Sequence, residues 1–243
     1  MARVSEIRDQ MIEGGLQILE RDGVSGLSAR KLAAETGTST MAVYTHFGGM
    51  TGLLEAIALA VFARFTRALT DVEQTDDPVA DFIVMGARYR EFALADRQRY
   101  QLMFGTSADS LNRFHTDLTV TGSPAAGHEF GTSFGALLTA VRRMIAAGRI
   151  RDEGESVIAG RLWAVSHGEV LLEMSGFFGY EDRGLTEILA PLILDVLVGM
   201  GDERRRVDES FAAAVERIMS GSHQGSSAAD STPDDAPRRP SRP

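Results

Sequence analysis

Apolar residues recur along most of the chain at steps of three and four, the spacing of one helix face, and strand-like alternation is nearly absent. Ile7, Met11, Gly15, Ile18 and Leu19 mark the first such face, and Asp22-Gly23 ends it, because glycine accepts the left-handed conformation favoured at a helix C-terminus. Ser28 has the side chain of an N-cap for a short helix over 29–36, which Gly37 breaks. Ser39 caps a third helix to about residue 45, and Gly48-Gly49 close it. A long apolar-rich helix follows over 50–71.

Further helices are expected over 78–94, 97–104, 128–147, 155–178, 185–200 and 203–219. Pro78 suits a first helical turn, where its missing N–H costs nothing. Pro191 falls inside its segment, so that helix either kinks there or starts there. The stretch 106–127 mixes Ser, Asp, Thr and Gly and reads as an irregular connection. From Ser220 the chain turns to Ser, Asp, Pro and Arg, which cannot bury enough apolar surface to offset ordering entropy. The pattern therefore predicts an all-α protein: three short helices at 1–49, a larger helical domain at 50–219 and a disordered tail at 220–243.

Composition narrows the chemistry. With 243 residues, 44% of them hydrophobic, the chain can build a sizeable core. It has no cysteine, which removes disulfides, thiolate metal sites, iron–sulfur clusters and cysteine nucleophiles together. Histidines stand at 46, 115, 128, 167 and 223, in no His-x-x-x-His or His-Glu-x-x-His spacing, so no metal and no cofactor is expected. The net charge of −9 argues against non-specific binding to nucleic acid or anionic membrane. Most of it falls between 51 and 200, where 13 basic face 20 acidic residues; the first fifty hold 5 and 6. That near-neutral balance leaves room for a small DNA-reading surface near the N-terminus. No apolar run reaches the ~18 residues of a membrane span, and the polar N-terminus is unlike a signal peptide, so a cytoplasmic protein is expected.

The informative stretch runs from Leu27 to Phe47, LSARKLAAETGTSTMAVYTHF. Ala33 is small where two helices must approach, Gly37 sits at the turn, and Leu32 and Val43 are placed as core residues across the crossing. Ser39, Thr40, Met41, Ala42, Tyr44 and Thr45 then form an outer face suited to a major groove. This segment resembles the DNA-binding domain of the TetR family of bacterial transcription regulators. The matching residues are Gly23, Leu27-Ser28, Leu32-Ala33, Gly37-Thr38-Ser39, Tyr44-Thr45-His46-Phe47 and Leu53-Leu54, in order and without gaps. Two departures stand out: Gly14-Gly15 replace a usual Ala-Ala, and Met50 stands where a phosphate-contacting lysine is common.

The resemblance implies a ligand-responsive regulator, most often a repressor, that binds a palindromic double-stranded operator as a homodimer. It implies that Ser28 and Thr38 touch phosphates and that Arg30 reaches a base edge or a phosphate. Ser39, Thr40, Met41 and Ala42 would face bases, with Thr45 on the same outer face, while Tyr44 and His46 pack on the sugar-phosphate backbone. Trp163 to Gly168 is similar to a Trp-x-x-x-His-Gly motif of one regulatory-domain subgroup. It implies an effector pocket of Trp163 and His167 with Tyr89, Met103, Phe104, Phe134 and Leu137. Dimerisation is implied through the helices near 155–178 and 185–200, where Leu185, Ile188, Leu189, Leu192, Ile193, Val196 and Leu197 make an apolar surface too wide for one buried side. The competing readings are an all-α small-molecule-binding protein or an enzyme whose N-terminal hairpin is only structural. No catalytic set of residues supports the enzyme.

Overall fold

The short helices at the N-terminal end begin and stop at their serines and glycines. The computed structural model describes residues 2–104, 128–179 and 182–227, and among these the chain forms ten α-helices and no strand. Helix α1 (Ala2–Asp22) buries Met11, Leu16, Ile18 and Leu19 completely. A 3-10 turn at Val24–Gly26, which the hydrophobic pattern does not announce, leads to α2 (Ala29–Thr36). The Ser28 hydroxyl accepts the Lys31 N–H at 3.3 Å to cap α2, and the Ser39 hydroxyl accepts the Ala42 N–H at 3.3 Å to cap α3 (Thr40–Phe47). Gly37 at φ 63° and Gly48 at φ 71° make the two left-handed turns that end these helices. Helix α3 runs two residues past its expected end, and α4 (Met50–Thr70) follows.

Helix α5 (Pro78–Ala95) has Pro78 in its first turn and Asp77 as its cap, accepting the Val79 and Ala80 N–H groups at 3.0 and 3.1 Å. Then come α6 (Arg97–Phe104), α7 (His128–Ala146) and α8 (Glu155–Met174). The expected connection at 106–127 lies outside the described residues. Helix α8 stops short of 178 because its last turn closes on itself: the Gly176 N–H reaches the Glu173 carbonyl and the Phe177 N–H the Leu172 carbonyl. Before α9 (Ala190–Gly199) the chain makes a π-helical turn, Gly184–Leu189. Pro191 thus lies in the first turn of the regular helix, since it has no N–H to donate one turn back. Helix α10 (Arg204–Ser227) continues past Ser220, where the ordered chain is expected to end; residues 228–243 lie outside the described part.

Helix α4 is the spine. It packs on α1 and α3 at one end and on α5, α6 and α7 along the rest. One continuous apolar cluster therefore reaches from Met11 and Val43 through Ile57, Phe62 and Phe65 to Leu162 and Leu197. Helix α5 in turn packs on α7, α8 and α10.

The paired glycines of α1 have a packing reason. A Cβ on Gly14 would stand 2.5 Å from Cγ2 of Thr36, and one on Gly15 would stand 2.5 Å from Cδ1 of Ile57. Thr36 is held in place by its hydroxyl, which donates to the Leu32 carbonyl at 2.8 Å, whereas the Ile57 tip can swing away. Gly14→Ala is expected to lower stability by about 1–2 kcal/mol despite its gain of up to ~1 kcal/mol in helix propensity. Gly15→Ala should be close to neutral, and Thr36→Ser should rescue Gly14→Ala. Urea unfolding of the four proteins checks this; equal stabilities of the two alanine variants would refute it.

Candidate functional site

Helices α2 and α3 form a helix-turn-helix held by Leu32 and Val43, both fully buried. Because Val43 turns inward, Thr40, Met41, Tyr44 and Thr45 are carried outward. Met41 is 68% and Tyr44 60% exposed. Ser28, Arg30 and Ser39 are also exposed, the two serines with their hydroxyls already engaged as caps. The Thr45 hydroxyl donates to the Met41 carbonyl at 3.0 Å.

Three of the expected contact residues are less open. Ala42 is half-buried and packs on the core. Thr38 is half-buried and shares a 2.8 Å hydrogen bond with the Thr36 hydroxyl. His46 is half-buried with its ring 6.3 Å from that of Phe47, and Phe47 lies on the core beneath the Arg8 guanidinium. Position along a helix cannot reveal this, because the neighbouring helix decides how deep each residue sits.

Charge around this face is largely cancelled within the protein. Lys31 pairs with Asp22 at 3.3 Å, and Arg21 pairs with Glu35 at 3.1 Å. Arg30, by contrast, is exposed and makes no ion pair among the described residues. Helix α4 begins after Gly49 with no side-chain cap, and Met50 is half-buried against the core.

The second cluster lies among α4, α5, α6, α7 and α8. Tyr89, Phe104, Phe134, Leu137 and Trp163 line one cavity of about 50 Å³, together with Phe65, Phe82, Met85 and Leu162. Met103 is buried in the core and does not line it. His167 stands behind the wall: its ring is 5.5 Å from that of Trp163 and 4.8 Å from that of Phe104. Its Nδ1 lies 2.6 Å from the Tyr100 hydroxyl and 3.0 Å from that of Tyr89.

Burial drives the Tyr89 hydroxyl up to about 12, raises that of Tyr100 and lowers His167, so the cluster is neutral near pH 7. Neutral His167 shares a hydrogen bond at Nδ1 with the Tyr100 hydroxyl, the Tyr89 and Tyr100 hydroxyls share another, and the Trp163 indole N–H donates to Tyr89. Tyr100 is the member that sequence spacing missed, since it sits on α6 and meets His167 only in the fold. Among the described residues no group of three His, Asp or Glu side chains is placed to hold a metal ion.

Helix α6 touches both regions. It carries Phe104 to the cavity and Tyr100 to His167, while Arg99 pairs with Glu20 of α1 at 2.7 Å. The Gln98 amide oxygen lies 3.2 Å from where a Cβ on Gly23 would stand.

Residues 11–57 match the family described as bacterial regulatory proteins, tetR family, and residues 82–197 match the tetracyclin repressor-like C-terminal domain. The chain is 32% identical over 130 residues to the class A tetracycline repressor of transposon 1721 from Escherichia coli, a match that spans 53% of this chain and 59% of the repressor. It is 26% identical over 203 residues, 82% of each chain, to an uncharacterized HTH-type transcriptional regulator of Mycobacterium tuberculosis. Among solved structures, a protein of unknown function from Rhodococcus sp. RHA1 superposes with a TM-score of 0.63 at 28% identity, over 81% of this chain and 96% of that one. RolR in complex with resorcinol shares the fold, with a TM-score of 0.57 at 14% identity over 86% of this chain and 95% of that one.

Proposed function

The chain belongs to the TetR family and is a ligand-responsive DNA-binding transcriptional regulator; from that premise we propose that it represses as a homodimer on a palindromic operator, and that a small apolar or amphipathic effector releases it. The observation that carries this reading is α3, an eight-residue helix pinned by Val43 between two glycine turns with Thr40, Met41, Tyr44 and Thr45 exposed. Such a helix end enters the major groove. Ser39, Thr40, Met41 and the accessible part of Ala42 face bases; Tyr44 and His46 flank the backbone; Ser28 and Thr38 contact phosphates, and Arg30 reaches a base edge or a phosphate. With most nearby cations paired internally, affinity rests on dimer geometry and helix-terminus amides more than on charge.

Dimerisation through α8 and the 184–199 segment has support in the exposed Val157, Leu171 and Leu172 on α8 and in Ile188 and Leu192. Leu185, Leu189, Ile193 and Leu197 face inward, so the wide apolar surface divides into a core side and an outer side. Two copies would set their recognition helices one DNA turn apart, ~34–36 Å. No single helix among the described residues is long and apolar enough to cross a membrane, in keeping with action on cytoplasmic DNA.

The aromatic cavity, at about 50 Å³, is far below the roughly 300–1,000 Å³ of organic ligand sites. An effector therefore enters only by displacing rings. Phe104 sits on α6, so displacing it moves the helix whose Arg99 grips α1. That linkage gives the effector a route to the recognition helix.

Gel retardation on the protein's own promoter region tests the DNA face. Thr40→Arg and Tyr44→Ala are each expected to weaken binding at least tenfold while the dimer persists in size-exclusion chromatography. Retention of wild-type affinity by both variants would overturn the assignment. Trp163 fluorescence should respond to a true effector in a lipophilic panel, and silence across the panel would remove Trp163 from the site.

A further inference from the structure

A second and larger cavity, about 460 Å³, lies between α5, α8, α9 and α10. It abuts the aromatic cavity, since Phe82, Gly86 and Ser166 border both. Its wall residues Phe82, Leu189, Ile193 and Leu194 are buried, while Thr186 and Met219 are exposed, so the space is deep at one side and opens to solvent at the other. Protein interiors close-pack and keep few voids larger than a water molecule. A void of this size surrounded by apolar side chains falls instead in the range of organic ligand sites. Ser166 and Thr186 supply the only polar side chains among its described lining residues.

One end of this cavity has an unusual neighbour. Glu169 follows Ser166 by three residues, on the same face of α8. It is 4% exposed, and among the described residues neither carboxyl oxygen has a hydrogen-bond partner. Its Oε1 lies 3.0 Å from where a Cβ on Gly184 would stand, next to the lining residues Leu185 and Thr186. The nearby cation is already engaged: Arg90 binds Glu173 through Nε at 2.8 Å and Nη2 at 2.5 Å, and Asp182 through Nη2 at 2.8 Å. Burial, reinforced by the Glu173 charge, pushes the Glu169 carboxyl up to about 7. A buried carboxyl with no partner is costly to keep, and a cation brought to it recovers that cost.

We propose that this second cavity binds a lipophilic amine, its apolar body against Ile193, Leu194 and Phe211 and its ammonium group at the Glu169 carboxylate. Glu169 does not itself line the cavity: its carboxylate reaches the end of it only by turning about its own side-chain bonds toward the lining residue Ser166, one helical turn away. The apolar walls provide affinity without selectivity, whereas the single carboxylate selects the head group. An alcohol of the same length gains the burial alone. A carboxylate of the same length meets Glu169 and Glu173 as like charges.

Titration calorimetry of the full chain with decylamine, decanol and decanoate, each below its micelle concentration at pH 8, tests the proposal. Decylamine should bind at least tenfold more tightly than decanol, and decanoate more weakly than decanol. Glu169→Gln should bring decylamine down to the affinity of decanol and leave decanol unchanged. Ile193→Trp, which fills the cavity, should abolish binding of all three; Ala87→Phe fills it from the opposite wall if the first variant folds poorly. Equal binding of amine and alcohol to the wild-type protein overturns the proposal. So does an amine preference that survives Glu169→Gln or both filling variants. No operator enters this measurement, so its failure leaves the reading of the aromatic cavity and of α3 untouched.

Discussion

Replacing Gly52 by alanine is expected to lower stability by about 1–3 kcal/mol and operator affinity by tenfold or more. Gly52 lies in the first turn of α4, and a Cβ there would stand 1.9 Å from the carbonyl oxygen of Phe47 and 3.0 Å from its carbonyl carbon. Both are backbone atoms, so no side chain can swing aside to relieve the overlap. Phe47 is the last residue of α3, which packs directly on α4. The clash is therefore relieved only by moving the recognition helix relative to the spine of the molecule. A displacement of that kind would misalign all the proposed base contacts at once. Thr51→Ala, at the exposed neighbouring position, serves as the control and should match the wild type in both measurements. Thermal unfolding with gel retardation reads the result; a Gly52→Ala protein with wild-type melting and affinity would show that the corner tolerates a side chain.

Asp202→Ala is expected to be the most damaging single truncation far from the DNA face. Arg149 and Asp202 are 6% and 0% exposed at their side chains and meet at 2.8–3.0 Å through the arginine Nε and Nη2. The same guanidinium reaches Asp77, the cap of α5, and Ser210 of α10, each at 3.0 Å. One arginine between α7 and α8 thus fastens the start of α5 to the start of α10. Removing Asp202 leaves a buried guanidinium with one half-exposed acid, a loss of about 3–5 kcal/mol and roughly 10 °C in melting temperature. Replacing both partners with apolar residues, Arg149→Met with Asp202→Leu, should recover most of that loss, because desolvating the pair offsets much of its attraction. Operator binding well below the melting point should be unchanged. A shift of less than a degree for Asp202→Ala would mean that Asp77 alone satisfies Arg149.

The helix-turn-helix was legible in the sequence because its signals are local. Ser28 and Ser39 cap through bonds to residues three positions away, and Gly37 and Gly48 adopt the positive φ that only glycine takes up cheaply. Helical periodicity likewise found the elements of the C-terminal half. It erred at ends that periodicity does not encode: α8 closes on its own carbonyls before 178, the π-turn precedes Pro191, and α10 continues through a stretch of polar composition.

The cavities illustrate the other limit. Tyr89, Phe104, Phe134, Leu137 and Trp163 converge on one cavity, but Met103 falls into the core and Tyr100 takes the place on His167 that no spacing announces. Gly14 and Gly15 read as a propensity cost in α1; only the approach of Thr36 and Ile57 explains why side chains are missing there.

By itself, then, the sequence determined the all-helical class, the helix caps and turns, and the outward face of α3, since each depends on residues within a few positions of one another. The tertiary structure alone decided how deep Ala42 and His46 sit, how Tyr100 meets His167, where Arg149 finds Asp202, and that Glu169 is buried without a hydrogen-bond partner among the described residues. Those outcomes depend on helices far apart in the chain, whose mutual approach is set by the packing of the whole core.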